Sequence, residues 1–212
     1  MVEYLLRLPD CAVTIVDNAS TYPPLLAWYD GDCPVEVLRQ RRNGGPRAAV
    51  AAARGAAAAG RDYVITDCDL DLSGVPLDVL DVLRGGLDQY PDVCKAGLSL
   101  EIEDLPEDGL VSRHVRILES GHWTSRRDGP DGQFFDAPID TTFALRRPGR
   151  GACVYGPALR ADRPYTARHV PWYISPATLT DEDRYCLAHQ DPRYAHGTVY
   201  SPLLLERMKA EG

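Results

Sequence analysis

The chain has 212 residues, of which 44% are hydrophobic and 25% charged, the proportions of one ordinary folded domain, which excludes a mostly disordered or fibrous polypeptide. Lys and Arg total 23 against 31 Asp and Glu, a formal charge of -8, so the surface as a whole repels polyanions and general nucleic-acid binding is not expected. The longest apolar stretch, Ala48 to Ala59, is interrupted by Arg54 and Gly55 and falls far short of the roughly 20 residues that span a bilayer. Met1 is followed by Val-Glu-Tyr-Leu-Leu-Arg-Leu-Pro, without the basic start, long apolar run and cleavage site of a secretory signal, so the expected location is the cytoplasm. Cys11, Cys33, Cys68, Cys94, Cys153 and Cys186 are scattered without a CxxC pair and are expected as free thiols rather than a disulfide framework or a zinc site.

In chain order, the first half alternates strand and helix patterns, which predicts an α/β fold. Ala12 to Val16 reads as a buried parallel strand ending at Asp17. Ser20 or Thr21 is placed to cap a helix with Pro23 and Pro24 in its first turn, running through Tyr29 and stopping at Gly31. Val35 to Leu38 is a second strand, and Asn43-Gly-Gly-Pro46 turns the chain into an Ala-rich helix from Arg47 to Ala59, closed by Gly60. Tyr63 to Thr66 is a third strand, ending in Asp67-Cys-Asp-Leu-Asp71. Beyond it the pattern predicts a helix over Leu77–Leu83, a strand over Val93–Ile102 and a helix presenting Val111, Val115 and Leu118 on one face. A turn at Gly129–Gly132, a strand over Ile139–Arg146, and helices over Thr180–Ala188 and Pro202–Lys209 follow. One domain is expected, with a regular half over 1–104 and a less regular half over 105–212.

The residues that could carry chemistry gather at strand ends. Ligands of open α/β sheets bind beyond the carboxyl ends of the strands, where Asp67 and Asp69 stand at i and i+2 and can point the same way. Clustered carboxylates repel unless a cation or donors relieve them, and hard oxygens suit Mg²⁺ or Mn²⁺; a solvated acidic turn or helix cap is the alternative. Asp17 and Asn18 open on the same edge, Asp17 being suited either to a base or ribose or to a helix cap. Asn43 and the two glycines after it allow close backbone approach, and Arg47, at a helix start beside Arg39, Arg41 and Arg42, is suited to a phosphate unless the run is only a solvated loop.

The segments Val13-Thr-Ile-Val-Asp-Asn-Ala-Ser20, Asn43-Gly-Gly-Pro-Arg47 and Tyr63-Val-Ile-Thr-Asp-Cys-Asp69 together resemble the nucleotide-sugar half of a GT-A type glycosyltransferase, family 2-like, over roughly Cys11 to Leu100. The resemblance implies a Rossmann-like mixed sheet flanked by helices, a nucleotide diphosphate sugar donor with a UDP-sugar favoured, Mn²⁺ or Mg²⁺ at the Asp67-Cys68-Asp69 motif, and inverting transfer to an acceptor hydroxyl. It places Asp17 against the base, Asp67 near the ribose and Asp69 on the metal, and a late histidine on the same metal. His169, in Tyr165-Thr-Ala-Arg-His-Val-Pro-Trp-Tyr173, is the best match for that histidine, or else packs structurally on Trp172.

Asp140 is the first choice for the base, ahead of Asp136 and of Asp181-Glu-Asp183, whose acids also suit a helix N-terminus. Trp123, Trp172 and Tyr173 are candidates for a sugar platform or for core. The family's first strand has no counterpart, because Met1 to Leu8 resembles only the tail of the following helix. An unfilled sheet position would expose backbone groups and invite dimerisation by strand pairing. Two other readings stand beside the transferase: a sugar-phosphate nucleotidyltransferase, and a non-catalytic binding domain of the same architecture.

Overall fold

The computed structural model describes residues 1–45, 47–107, 112–127, 133–140, 142–148, 156–174 and 176–189. The expected turn at 129–132 and helix at 202–209 lie outside these, as do Pro46, Val111, Cys153 and the side chain of Arg47.

The protein is an α/β structure in which helices flank a mixed, open sheet. A short helix α1 (Val2–Leu5) leads to β1 (Thr14–Asp17), helix α2 (Pro23–Asp30) and β2 (Glu36–Arg39), and β1 and β2 pair in parallel from Thr14 opposite Glu36 to Asp17 opposite Arg39. Neither Ser20 nor Thr21 caps α2; its N-cap is Tyr22, with prolines in the first two helical positions. Proline brings no N–H there, so the helix start has fewer donors to satisfy. The Ala-rich run forms α3 (Arg47–Ala52) and α4 (Arg54–Ala58) instead of one helix, and Gly60 closes it at φ +70°.

The larger sheet has the order β3-β7-β5-β8-β4, with β6 also on β8. Its strands are β3 (Tyr63–Ile65), β4 (Leu70–Asp71), β5 (Lys95–Leu100), β6 (Phe134–Asp136), β7 (Ala144–Arg146) and β8 (Ala158–His169). Since β7 and β8 lie on either side of β5, the halves drawn at residue 105 share one sheet. The strand β8 is the longest element of the sheet and is not among the strands expected from the sequence. Its charged alternation and Pro164 disguise it, and the pairing with β5 steps from Leu98–Ala161 to Ser99–Thr166, so 162–165 bulge out of register.

The amphipathic helix α5 (Val79–Gln89) lays Val79, Leu80, Leu83 and Leu87 on the sheet, in one core with Ala96, Leu98, Leu145, Leu159 and Trp172. Gly86 is required there, because a Cβ would stand 2.6 Å from the Phe134 ring. Gly97 on β5 is equally confined, at 2.7 Å from the Phe143 carbonyl oxygen. On α6 (Ser112–Ser120), Val115 is buried whereas Leu118 is exposed, so only part of the expected apolar face is used. Val16 and Ile15 on β1 are half-buried, short of the fully buried strand expected, because among the described residues β1 pairs with β2 alone. Cys94 is joined in a disulfide, which corrects the expectation of free thiols throughout.

Candidate functional site

Three loops and one helix converge beyond the carboxyl ends of β1 and β3. At the first, the Asp17 carboxylate is buried and accepts from the Ser20 backbone N–H at 3.2 Å. It holds its own loop and does not cap α2. Asn18 reaches the second loop with both ends of its amide: Oδ1 accepts from the Gly44 N–H at 2.8 Å and Nδ2 donates to the Gly45 carbonyl at 3.1 Å. Asn43 closes the same turn by accepting from the Gly45 N–H at 2.9 Å, with Gly45 at φ +67°. Asn18 and Asn43 therefore fix the backbone that leads into α3 and its first residue, Arg47.

The third loop carries Asp67, Cys68 and Asp69 from β3 to β4. Antiparallel pairing of β4 with β8 sets Leu70 opposite His169, and the Val170 N–H donates to the Asp69 carbonyl at 2.9 Å. These backbone contacts deliver Asp69 Oδ2 to within 3.3 Å of His169 Nε2. The imidazole packs at 4.9 Å between ring centroids on the buried Trp172. Two polar atoms of the pair, Asp69 Oδ1 and His169 Nδ1, are buried without a hydrogen-bond partner. Such orphaned atoms are uncommon and call for an explanation such as an ion or an ordered water.

Tyr29 on α2 lies near the strand ends. Burial pushes its phenol up to about 12, with the charges of Asp17 and Cys68 adding to the effect. The fourth wall is α7 (Asp181–His189), where Tyr185 donates to the Thr21 carbonyl at 2.9 Å and meets the Tyr22 ring at 5.0 Å. The Cys186 thiol on the same helix is raised by burial first, then by Glu182, Asp183 and Asp69. Neither Tyr29 nor Tyr185 stands out in the sequence, since an aromatic residue on a short helix carries no spacing signal of its own.

Other expected residues go elsewhere. Asp140 is exposed and its charge acts on the buried Lys95 and Arg146. Arg146 is in register with Tyr63, the first residue of β3. Asp136 pairs with Arg127 at 2.7 Å. At the start of α7, Thr180 and Asp183 cap each other: the Asp183 N–H donates to Thr180 Oγ1 at 3.1 Å and the Thr180 N–H donates to Asp183 Oδ2 at 2.8 Å. That reciprocal cap is the structural role open to these acids in the sequence. Asp71 accepts from the Ser73 N–H at 2.9 Å, which holds its carboxyl below the usual range.

The donors present bear on the expected metal. Among the described residues no group of three or more His, Cys, Asp or Glu side chains is arranged to hold an ion, which does not fit a cage built wholly from protein. The Asp69 carboxylate is of the donor type that suits Mg²⁺ or Mn²⁺, which commonly take their other positions from phosphate and water, whereas His169 meets it through Nε2 and leaves Nδ1 on the opposite side of the ring.

Compared with protein-family models, curated proteins and solved structures, the chain matches none. No helix among the described residues is long and apolar enough to cross a membrane.

Proposed function

We propose that the protein is a metal-dependent glycosyltransferase of GT-A type, which moves a sugar from a nucleotide diphosphate donor, with a UDP-sugar favoured, to an acceptor hydroxyl. The observation that carries the reading is the Asp69–His169 contact of 3.3 Å, beside which Asp69 Oδ1 is buried without a hydrogen-bond partner. A divalent cation bound there would neutralise the diphosphate as it departs.

The chain's own residues hold and orient. Asp69 and His169 supply two ligands, and the backbone pairing of β4 with β8 fixes their separation. Asp17, buried at the end of β1, accepts from a base N–H or a ribose hydroxyl, and Asp67 is assigned to the ribose. Asn18 and Asn43 keep the glycine turn rigid, so that its backbone N–H groups meet the phosphates at little cost in ordering.

Isothermal titration of the full chain with UDP and GDP tests the reading, with and without Mn²⁺. Binding that requires the metal is expected; no metal-dependent binding to either nucleotide overturns it. A second reading, a non-catalytic interaction domain that dimerises through an open sheet edge, is favoured by the pairing of β1 with β2 alone among the described residues. Strand pairing through that edge would appear as a concentration-dependent dimer in analytical ultracentrifugation.

A further inference from the structure

A cavity of about 300 Å³ lies between β6, β8 and the single 3-10 turn that follows α6. Its apolar part is Ile102 with Trp123 and Phe135, whose rings meet edge to face at 5.3 Å. Each ring steadies a guanidinium, Arg163 at 4.4 Å from the Trp123 centroid and Arg126 at 4.7 Å from that of Phe135. Both cations are paired at their far side: Arg126 with Asp162 at 2.7 Å, Arg163 with Glu101 at 2.9 Å and Glu103 at 3.2 Å.

That pairing decides the class of ligand. Two guanidinium groups meet three carboxylates there, an excess of one negative charge that disfavours a free anion. The wall presents instead fixed planar donors and acceptors in alternation, over aromatic edges. A hydroxyl both donates and accepts, and a pyranose carries several around a ring whose C–H bonds lie against aromatic carbon. The volume is at the lower end for small-ligand cavities. Arg163 is also shared with a second cavity of about 260 Å³, which continues along β8 through Thr166 and Arg168 to Asp71, two residues past Asp69.

We infer that the cavity formed by Trp123, Phe135, Arg126 and Arg163 with Glu103 and Asp162 binds a saccharide, and that the saccharide is the acceptor; the acceptor role rests on the transferase reading. The test is a ligand-observed NMR titration of the full chain in EDTA, without nucleotide. The probes are methyl glucoside, methyl galactoside and N-acetylglucosamine, with inorganic phosphate as the ionic comparison.

At least one sugar is expected to bind more tightly than phosphate, and Trp123→Leu, Arg126→Ala and Glu103→Gln are each expected to weaken it by about tenfold or more. Glu103→Gln is nearly isosteric at an exposed position and retains the fold if the larger changes do not. No sugar binding, sugar binding unaltered in the folded variants, or tighter binding of phosphate overturns the inference. Because metal is chelated, a failed nucleotide titration sinks the transferase reading alone, and a failed sugar titration sinks the acceptor site alone.

Discussion

Asp69 and His169, far apart in the chain, meet at 3.3 Å because β4 and β8 run antiparallel with Leu70 opposite His169. If the two side chains hold one ion, their effects are coupled. Asp69→Asn and His169→Ala should each weaken Mn²⁺-dependent UDP binding by about 10- to 100-fold, the scale found when a group supporting a metal site is lost. The double variant should be little worse than the more damaging single one. Additive losses in calorimetry would mean that the residues act separately.

Two neighbouring glycines on α5 should respond with opposite signs. A methyl group added at Gly85 would meet nothing within 4 Å, so Gly85→Ala should raise stability by about 0.5–1 kcal/mol through helix propensity. Gly86→Ala would drive a Cβ to 2.6 Å from the buried Phe134 ring, and overpacking of about 1–3 kcal/mol outweighs the same propensity gain. Urea midpoints of the two variants decide it, and a stabilising Gly86→Ala would contradict the packing described for α5.

Burial also sets a pH dependence. Lys95 is 1% exposed and its ammonium donates to the Ile139 carbonyl. Desolvation first, then Arg146, lowers it to about 8. A lysine with a depressed folded value sheds its proton before the unfolded chain does, so the unfolded state binds more protons between about pH 8 and the ordinary lysine value. Stability contributed by this residue therefore rises with pH across that window, and the penalty of burying the charge is fully present below it. Denaturation profiles of the protein minus those of Lys95→Met should show this rise, and a flat difference would place Lys95 in a more polar setting.

The ion pairs divide by burial. Arg160 and Glu119 meet at 2.6 Å with side chains 7% and 13% exposed, so Glu119→Ala leaves a cation in the interior and should cost about 3 kcal/mol. The Arg39–Asp30 pair, at 2.9 Å with 42% and 70% exposure, is largely solvated, and Asp30→Ala should change stability by no more than about 0.5 kcal/mol. Equal losses in thermal or urea denaturation would show that local dielectric is not what separates them.

Much of the first half was legible in the residues. Apolar runs ending in Asp17 and in Asp67-Cys-Asp, and proline and glycine at the ends of α2, fixed β1, α2 and β3 to within a few residues, because those signals are local: backbone propensity, caps and short-range periodicity. Local signals also placed α7, where Thr180 and Asp183 cap each other. They misjudged the Ala-rich run as one helix, since propensity takes no account of the break at Ala53.

Only the tertiary structure decided which of the distant groups share a site. The strand β8 looked irregular because four of its residues bulge from register around Pro164, yet it supplies both His169 and the Arg163 wall of the cavity. The Asn18 amide bonds both ends of the Gly44–Gly45 turn, and the charge of Asp140 acts on Lys95 and Arg146, contacts that no spacing announces. The sequence by itself determined the residue types at the strand ends and the α/β alternation, which follow from interactions a few residues long. Pairing across the sheet, which couples residues with no sequence spacing in common, settled the rest.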